Sequence, residues 1–286
     1  MNIAAIPLPG GVWSADTLQR TVFLRPLCGL DQLFWVDQPG QVPLPRRIHT
    51  LLARCVLSPG EPTSAQEGNQ ALVGSLTIGD REALLLHLHR ISFGSRIECV
   101  LACPHCAEKL DLELAVEALL LPPYASPQPE YSADLQGYNV RFRLPTGDDQ
   151  VAIAGLASAD LDAAEQALLR RCLLDVSFQG QPAELPVSLI PVLADRMSEL
   201  DPQAELDIQM TCPACASVFS SLLDMSQFLG AELANRSRPI DHEIHALALA
   251  YHWSEAEILG LSIRRRQIYL QLLDEAGILV TAAGAS

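Results

Sequence analysis

Apolar and polar positions alternate with a period of two around one short motif that the chain carries twice. Ile97, Cys99 and Leu101 lie six, four and two residues before Cys103, and Leu206, Ile208 and Met210 hold the same offsets before Cys212. Each series runs into a Cys-Pro-x-Cys turn, Cys103-Pro104-His105-Cys106 and Cys212-Pro213-Ala214-Cys215. An apolar residue, Leu110 or Phe219, stands four positions beyond each second cysteine. Period two marks a half-buried strand, so a strand–turn–strand unit is predicted twice. Ahead of the first unit the period becomes helical. Leu84, Leu85, Leu88 and Ile91 share one face, with Thr77 and Asp80 as start signals, which predicts an amphipathic helix over 79–92 closed by Gly94.

Between the two units, Tyr138 to Leu144 alternates and predicts a strand, with a turn at Pro145-Thr146-Gly147-Asp148-Asp149. Ser158 and Asp160 cap a helix to about Leu174, and another covers Pro186 to Leu200, stopped by Asp201-Pro202. After Asp224 the pattern is helical throughout. Met225 to Ala234 is followed by a helix capped by Asp241, a short one opened by the Ser254–Glu257 capping box, and a last one from Ser262; the tail from Gly277 is loose. The first 66 residues are punctuated by proline and glycine, leaving short extended pieces such as Thr21 to Leu24, a helix over Ile48 to Val56 and a polar loop at Glu61 to Gly68.

The expected fold class is therefore α+β: a split four-cysteine zinc-ribbon-like β unit with an α/β insertion and a C-terminal helical module. Its divisions are an irregular, extended accessory region (1–67), a helix plus first knuckle (68–121), the insertion (122–203), the second knuckle completing the ribbon (204–226) and the helical module (227–286).

Composition narrows the setting. Of 286 residues 49% are hydrophobic and 19% charged, enough to build a core. No run reaches the roughly 18 apolar residues of a membrane span, and no basic-then-apolar leader opens the sequence. The expectation is a cytoplasmic protein, of a bacterium or its host, in association with a particle, without membrane contact. Thiols stay reduced in that compartment, so the eight cysteines read as metal ligands plus buried thiols, with Cys28, Cys55, Cys99 and Cys172 in the core. A net charge of −15 opposes binding to a phosphate backbone and suits basic protein partners.

Cys103, Cys106, Cys212 and Cys215 are the candidate metal ligands. A C-x-x-C turn brings two thiolates to one side of a bend, and two such turns complete a tetrahedral zinc site with no open position for water. Such a zinc ion is structural. Free thiols in two tight hairpins are the alternative, and a redox pair fits less well because these motifs sit between strands. His105 is a bystander of a complete ligand set, and His87 and His89 are two apart on a helix, so they do not converge. His242 and His245 are three apart, not the four of a zinc-protease helix, and His245 reads as a partly buried helix residue. Arg264-Arg265-Arg266 reads as a solvated face or a contact for an acidic partner. No nucleophile elbow, phosphate loop or dinucleotide fingerprint occurs, so no catalytic residue and no small-molecule substrate is expected, and the chain reads as non-enzymatic.

The run Leu76-Thr77-Ile78-Gly79-Asp80-Arg81-Glu82-Ala83-Leu84-Leu85-Leu86, then Phe93-Gly94-Ser95-Arg96 and the first knuckle, resembles the T-even-phage-type baseplate hub assembly chaperone family, whose relatives also accompany contractile injection systems. Arg143-Leu144-Pro145-Thr146-Gly147, Asp201-Pro202-Gln203-Ala204 and the stretch from His245 to Leu259 extend the likeness. The resemblance implies an assembly chaperone or adaptor whose partner is a baseplate hub or wedge protein. A permanent structural component of the particle is the second reading, and a zinc-ribbon nucleic-acid regulator the third.

Overall fold

The computed structural model describes residues 3–14, 17–38, 40–57, 66–237 and 240–277. An antiparallel hairpin, β1 (Ala4–Ser14) and β2 (Thr17–Leu24), opens the chain, followed by α1 (Gly29–Asp37), α2 (Leu44–Cys55) and β3 (Val56–Leu57), which returns to pair with β2. Next come α3 (Gln66–Ser75), α4 (Ile78–Ser92), the hairpin β4 (Arg96–Ala102) and β5 (Lys109–Ala115), and the single turn α5 (Val116–Leu119). A second antiparallel sheet, in the order β6-β7-β8-β9, is built from β6 (Tyr131–Leu135), β7 (Tyr138–Phe142), β8 (Leu173–Phe178) and β9 (Gln181–Pro182), with α6 (Gly147–Ala157) and α7 (Leu161–Cys172) between β7 and β8. The chain continues through α8 (Ile190–Leu200), the hairpin β10 (Asp207–Thr211) and β11 (Val218–Leu222), α9 (Met225–Ser237), α10 (Ile240–Tyr251), α11 (Glu255–Leu259) and α12 (Ile263–Glu275). The class is mixed α+β, and no helix among the described residues is long and apolar enough to cross a membrane.

The expectation of an irregular accessory layer over 1–67 needs correction. Ile6, Leu8, Leu24, Trp35, Leu51 and Leu52 are buried in the main apolar cluster, together with Leu84 and Leu88 of α4 and Leu229 and Leu233 of α9. Buried aliphatic side chains of this kind contribute about 1.5–3 kcal/mol each, so the N-terminal segment is a wall of the core. Its prolines and glycines serve a polar contact. Asp80, fully buried in the first turn of α4, accepts the Gly10 and Gly11 amides at 2.8 and 2.9 Å. Gly11 stands at φ 86°, and a Cβ on Gly10 would lie 3.1 Å from Asp80 Oδ2. Burial lifts the Asp80 carboxyl to about 6 against the pull of the Gly10 amide, with the nearby Asp201 charge adding to the rise. The polar loop expected at Glu61 to Gly68 falls outside the described residues as far as Ala65; the chain is helical from Gln66. α4 itself is buried on nearly every side, with Gly79 to His89 all buried, where one apolar face was expected.

The expected turn at Pro145 to Asp149 is the start of α6. Thr146 is its N-cap, and Thr146 and Asp149 form a capping box. The helix expected to run to Leu174 stops at Cys172, where β8 begins. α10 starts at Ile240 with Asp241 in its first turn, its cap position lying outside the described residues, as does most of the tail from Gly277. Ser254 and Ser262 cap α11 and α12 as expected. α9 packs into the main core, whereas α10, α11 and α12 share a smaller cluster around Leu247, Ile258 and Leu273. His245 is exposed, and Arg266 is fully buried against Glu243 at 2.7 Å, so the arginine triplet is not a uniform solvated face.

Two buried carboxylates organise the sheets, in the same way. Asp149 accepts Arg143 Nη1 and Nη2 at 2.6 and 3.0 Å, Arg171 Nε at 2.9 Å, and the Thr146 amide and hydroxyl, both at 3.0 Å. Asp31 accepts Arg25 Nη1 and Nη2 at 2.6 and 2.9 Å, Arg54 Nε at 3.1 Å and the Cys28 amide at 3.0 Å. In both, the first arginine's amide donates to the carbonyl of a cysteine at the end of the second helix, Cys172 or Cys55, at 3.0 Å. Each cluster thus joins the end of a strand, the start of one helix and the end of the next. Behind them stands an unread sequence repeat: Arg-x-x-Cys/Thr-Gly-x-Asp-Gln at 25–32 and 143–150, closed by Arg54-Cys55 and Arg171-Cys172.

Burial by itself would raise Asp149, but the Arg143 hydrogen bonds, the Thr146 amide, the Arg143 charge and the Arg171 hydrogen bond outweigh it and hold the carboxyl at about 2. Asp31 is lowered for the same reasons by Arg25, the Cys28 amide and Arg54. Because the folded value lies below the unfolded one, this stability is complete above about pH 4 and is lost as pH falls toward 2. Asp149→Asn and Asp31→Asn should each cost about 3 kcal/mol, the typical loss when one partner of a buried pair is removed. Urea unfolding at pH 7 reads that loss, and the gap between wild type and either variant should narrow at pH 3.

Candidate metal centre

Each Cys-Pro-x-Cys turn closes a hairpin whose alternation buries one face. Ile97 and Leu110 are buried on β4 and β5, and Met210 and Phe219 of the other hairpin pack against the Cys103, Leu110 and Cys212 side chains. The two hairpins belong to separate two-stranded sheets. What brings their tips together is this small apolar contact and the four sulfurs themselves.

The two turns share the same backbone hydrogen bonds. The amide of the first cysteine donates to the carbonyl five residues on, Cys103 to Glu108 at 2.8 Å and Cys212 to Ser217 at 2.9 Å. The residue after the second cysteine donates back to the first, Ala107 to Cys103 and Ala216 to Cys212, both at 2.9 Å. Ala107 and Ala216 consequently stand at φ 61° and 58°, in the left-handed region. The proline after the first cysteine fixes φ and leaves these donors free to close the turn. Cys103 and Cys212 are buried, while Cys106 and Cys215 are exposed.

All four Sγ atoms lie within 4.8 Å of one another. Across the hairpins, Cys103 and Cys215 are 3.7 Å apart and Cys106 and Cys212 3.6 Å apart. A disulfide needs about 2.05 Å. A tetrahedron with Zn–S of about 2.3 Å has S···S edges of about 3.8 Å, so the donor set, its number and its spacing fit a four-thiolate metal site. Hydrogen bonds from the Ser217 hydroxyl and amide lower Cys215 to about 6. The Glu108 amide favours the Cys106 thiolate, but desolvation and the other three sulfurs outweigh it and push that thiol to about 12. Glu108 and Ser217, each two residues past a second cysteine, are the orienting groups that the sequence reading did not name.

Of the other candidates, His105 is exposed beside the cluster, and His87 and His89 are buried in α4, away from the four sulfurs. His89 Nε2 lies 3.0 Å from Glu232. Among the described residues no other group of three or more His, Cys, Asp or Glu side chains converges in this way.

The sequence profile of the T4 bacteriophage base plate proteins matches residues 43–185, half of the chain. The chain belongs to that family. No curated protein and no solved structure matches it. In this base plate family chain the matched stretch contains α4, the first knuckle and the Asp149 cluster, but not the second knuckle. Cys103 and Cys106 therefore lie inside the family region and meet Cys212 and Cys215 from outside it.

An L-residue in the left-handed region costs about 1–2 kcal/mol, a penalty glycine escapes. Ala107→Gly and Ala216→Gly should hold or raise the melting temperature, while Ala107→Val should lower it. Differential scanning calorimetry of the three variants checks the order.

Proposed function

We propose that this protein is a non-enzymatic, zinc-stabilised assembly chaperone or adaptor for the baseplate of a phage-tail-like contractile injection system, acting on a hub or wedge subunit. The observation that carries this reading is the base plate family match over 43–185, whose first knuckle is completed by two cysteines from beyond the match. Cys103, Cys106, Cys212 and Cys215 would hold a structural zinc ion in a ribbon-like unit. Thiolate zinc sites in small peptides contribute on the order of 10–16 kcal/mol at neutral pH. A closed four-thiolate site leaves no position for substrate or water. The residues around it therefore act by shape: they fix two hairpins from distant parts of the chain and hold the α/β insertion between them in one orientation.

The net charge of −15 directs the surface toward basic protein patches and away from nucleic acid. Work of this kind takes place in the cytoplasm of the producing cell, in contact with the growing particle. The family description, base plate protein, favours one second reading, a permanent component of the particle.

Co-expression with the neighbouring baseplate gene products, affinity purification and metal analysis of the same sample test the proposal. One zinc per chain and recovery of a hub or wedge subunit are expected, with the protein absent from finished particles. Stoichiometric presence in purified particles would move the assignment to a structural component. Absence of both zinc and any baseplate partner would sink it. Cys212→Ser should release the metal and loosen both hairpins together, seen as loss of amide protection in 96–115 as well as in 207–222.

A further inference from the structure

The first turns of α4, α6, α7, α10 and α11 each carry an acidic residue, as the positive end of a helix dipole favours. α12 breaks this rule. Its first turn holds no acidic residue and begins Ile263-Arg264-Arg265-Arg266. Arg266 is answered inside the protein by Glu243 at 2.7 Å. Arg264 and Arg265 are exposed, and neither forms an ion pair among the described residues. Arg265 Nη2 donates to the Tyr269 hydroxyl at 3.2 Å, and its guanidinium lies 5.7 Å from the centre of that ring. Two guanidiniums thus add to the positive end of a helix, on a chain whose net charge is −15.

Both arginines line a groove of about 600 Å³ between the segment around Pro26 and Cys28, the end of α4 and the start of α12. Pro26, Ile91, Leu261 and Ile268 give it apolar walls, and no carboxylate lines it among the described residues. Other large grooves carry both signs. Asp37 and Asp241 stand with Arg47 in the one beside α1 and α9, and Glu98 and Glu232 with Arg96 and Arg236 in the one between the end of α4 and α9. Ile268 is 51% exposed, and Leu272, one turn further, 47%. Residues three and four apart share a helix side, so Arg265, Ile268, Tyr269 and Leu272 form a strip that leads out of the groove along α12. Arginine and tyrosine beside exposed aliphatic side chains suit a protein contact. A phosphate backbone would need a wider basic surface than two arginines on an acidic chain.

We infer that this groove is a second docking surface, which takes a segment of a partner protein that carries carboxylates next to apolar side chains. The carboxylates pair with Arg264 and Arg265, and the apolar groups cover Ile91, Leu261 and Ile268. Its polarity is opposite to that of the molecule as a whole, so it selects a different kind of segment from the basic patches that the acidic surface attracts. The groove also lies where α4, inside the family stretch, meets helices from beyond it.

Capture by the full-length chain from cells co-expressing the neighbouring baseplate gene products tests this, with wild type set against the double variant Arg264→Glu, Arg265→Glu. Both side chains are exposed, so the variant should keep the circular dichroism and melting temperature of wild type. It should lose at least about tenfold in recovery of one subunit, because like charges then face each other across the contact. Ile268→Asp, which leaves the arginines in place, should lower the same recovery. Hydrogen exchange of the complex should show protection at 260–268 and in an acidic, apolar segment of the subunit. Unchanged recovery of every captured subunit overturns the inference, and so does a basic contact segment. Binding of a double-stranded DNA oligonucleotide that the double variant loses also overturns it, since the arginines would then belong to phosphate. Failure to capture any subunit counts against the baseplate reading, on which only the choice of co-expressed proteins rests. The groove is then decided by a fluorescent synthetic peptide of glutamate and leucine at helical spacing. Wild type should bind it at least about tenfold more tightly than the double variant, and equal binding overturns the inference.

Discussion

A buried carboxylate held between two arginines is the interaction on which this fold depends. Asp149 cannot stay charged in the interior unless both of its oxygens are occupied, and Arg143, Arg171 and the Thr146 amide occupy them. Meeting that need fixes three pieces of backbone at once: the end of β7, the start of α6 and the end of α7. Asp31 does the same for β2, α1 and α2. Apolar residues of similar size could fill the space at comparable stability, but they would not specify which strand end meets which helix end. The charged arrangement gives a register that greasy packing leaves free.

The four-cysteine centre works at a longer range. The hairpins it joins share no strand pairing and little apolar contact, and they stand 106 residues apart between Cys106 and Cys212. Bringing such distant segments together carries a loop-closure cost that grows only slowly with length, and a metal ion held by the four thiolates would offset it many times over. Clusters and cysteines divide the labour: the Asp clusters set local geometry within each sheet and helix pair, and the four cysteines meet from segments far apart.

Much of the candidate site was legible in the sequence because it is local. The alternation of Ile97, Cys99 and Leu101 with their counterparts, and the four-residue cysteine turns, specify two hairpins from nearest-neighbour geometry alone, and the hairpins form where expected. The caps at Thr77, Ser254 and Ser262 read correctly for the same reason. Thr146 did not. Pro145, Gly147 and two aspartates in sequence look like a turn, and only the arginines reaching Asp149 from just past β7 and from the end of α7 turn it into a helix start. The N-terminal segment was misread because its glycines and prolines suggest loops, whereas the buried Asp80 uses the Gly10 and Gly11 amides. Glu108 and Ser217 carry no signal beyond their place two residues past each second cysteine.

By itself the sequence determined the strand–turn–strand units, the helix caps, the acidic surface and the identity of the four thiols, all of which depend on residues within a few positions of one another. The tertiary structure decided that the four sulfurs converge, that the first strands and helices are core, and that Arg-x-x-Cys/Thr-Gly-x-Asp-Gln is a repeated carboxylate–arginine cluster. Those outcomes depend on desolvation. A carboxylate or guanidinium has one meaning in water and another where every partner must come from the protein, and only the packed chain determines which side chains have lost their water.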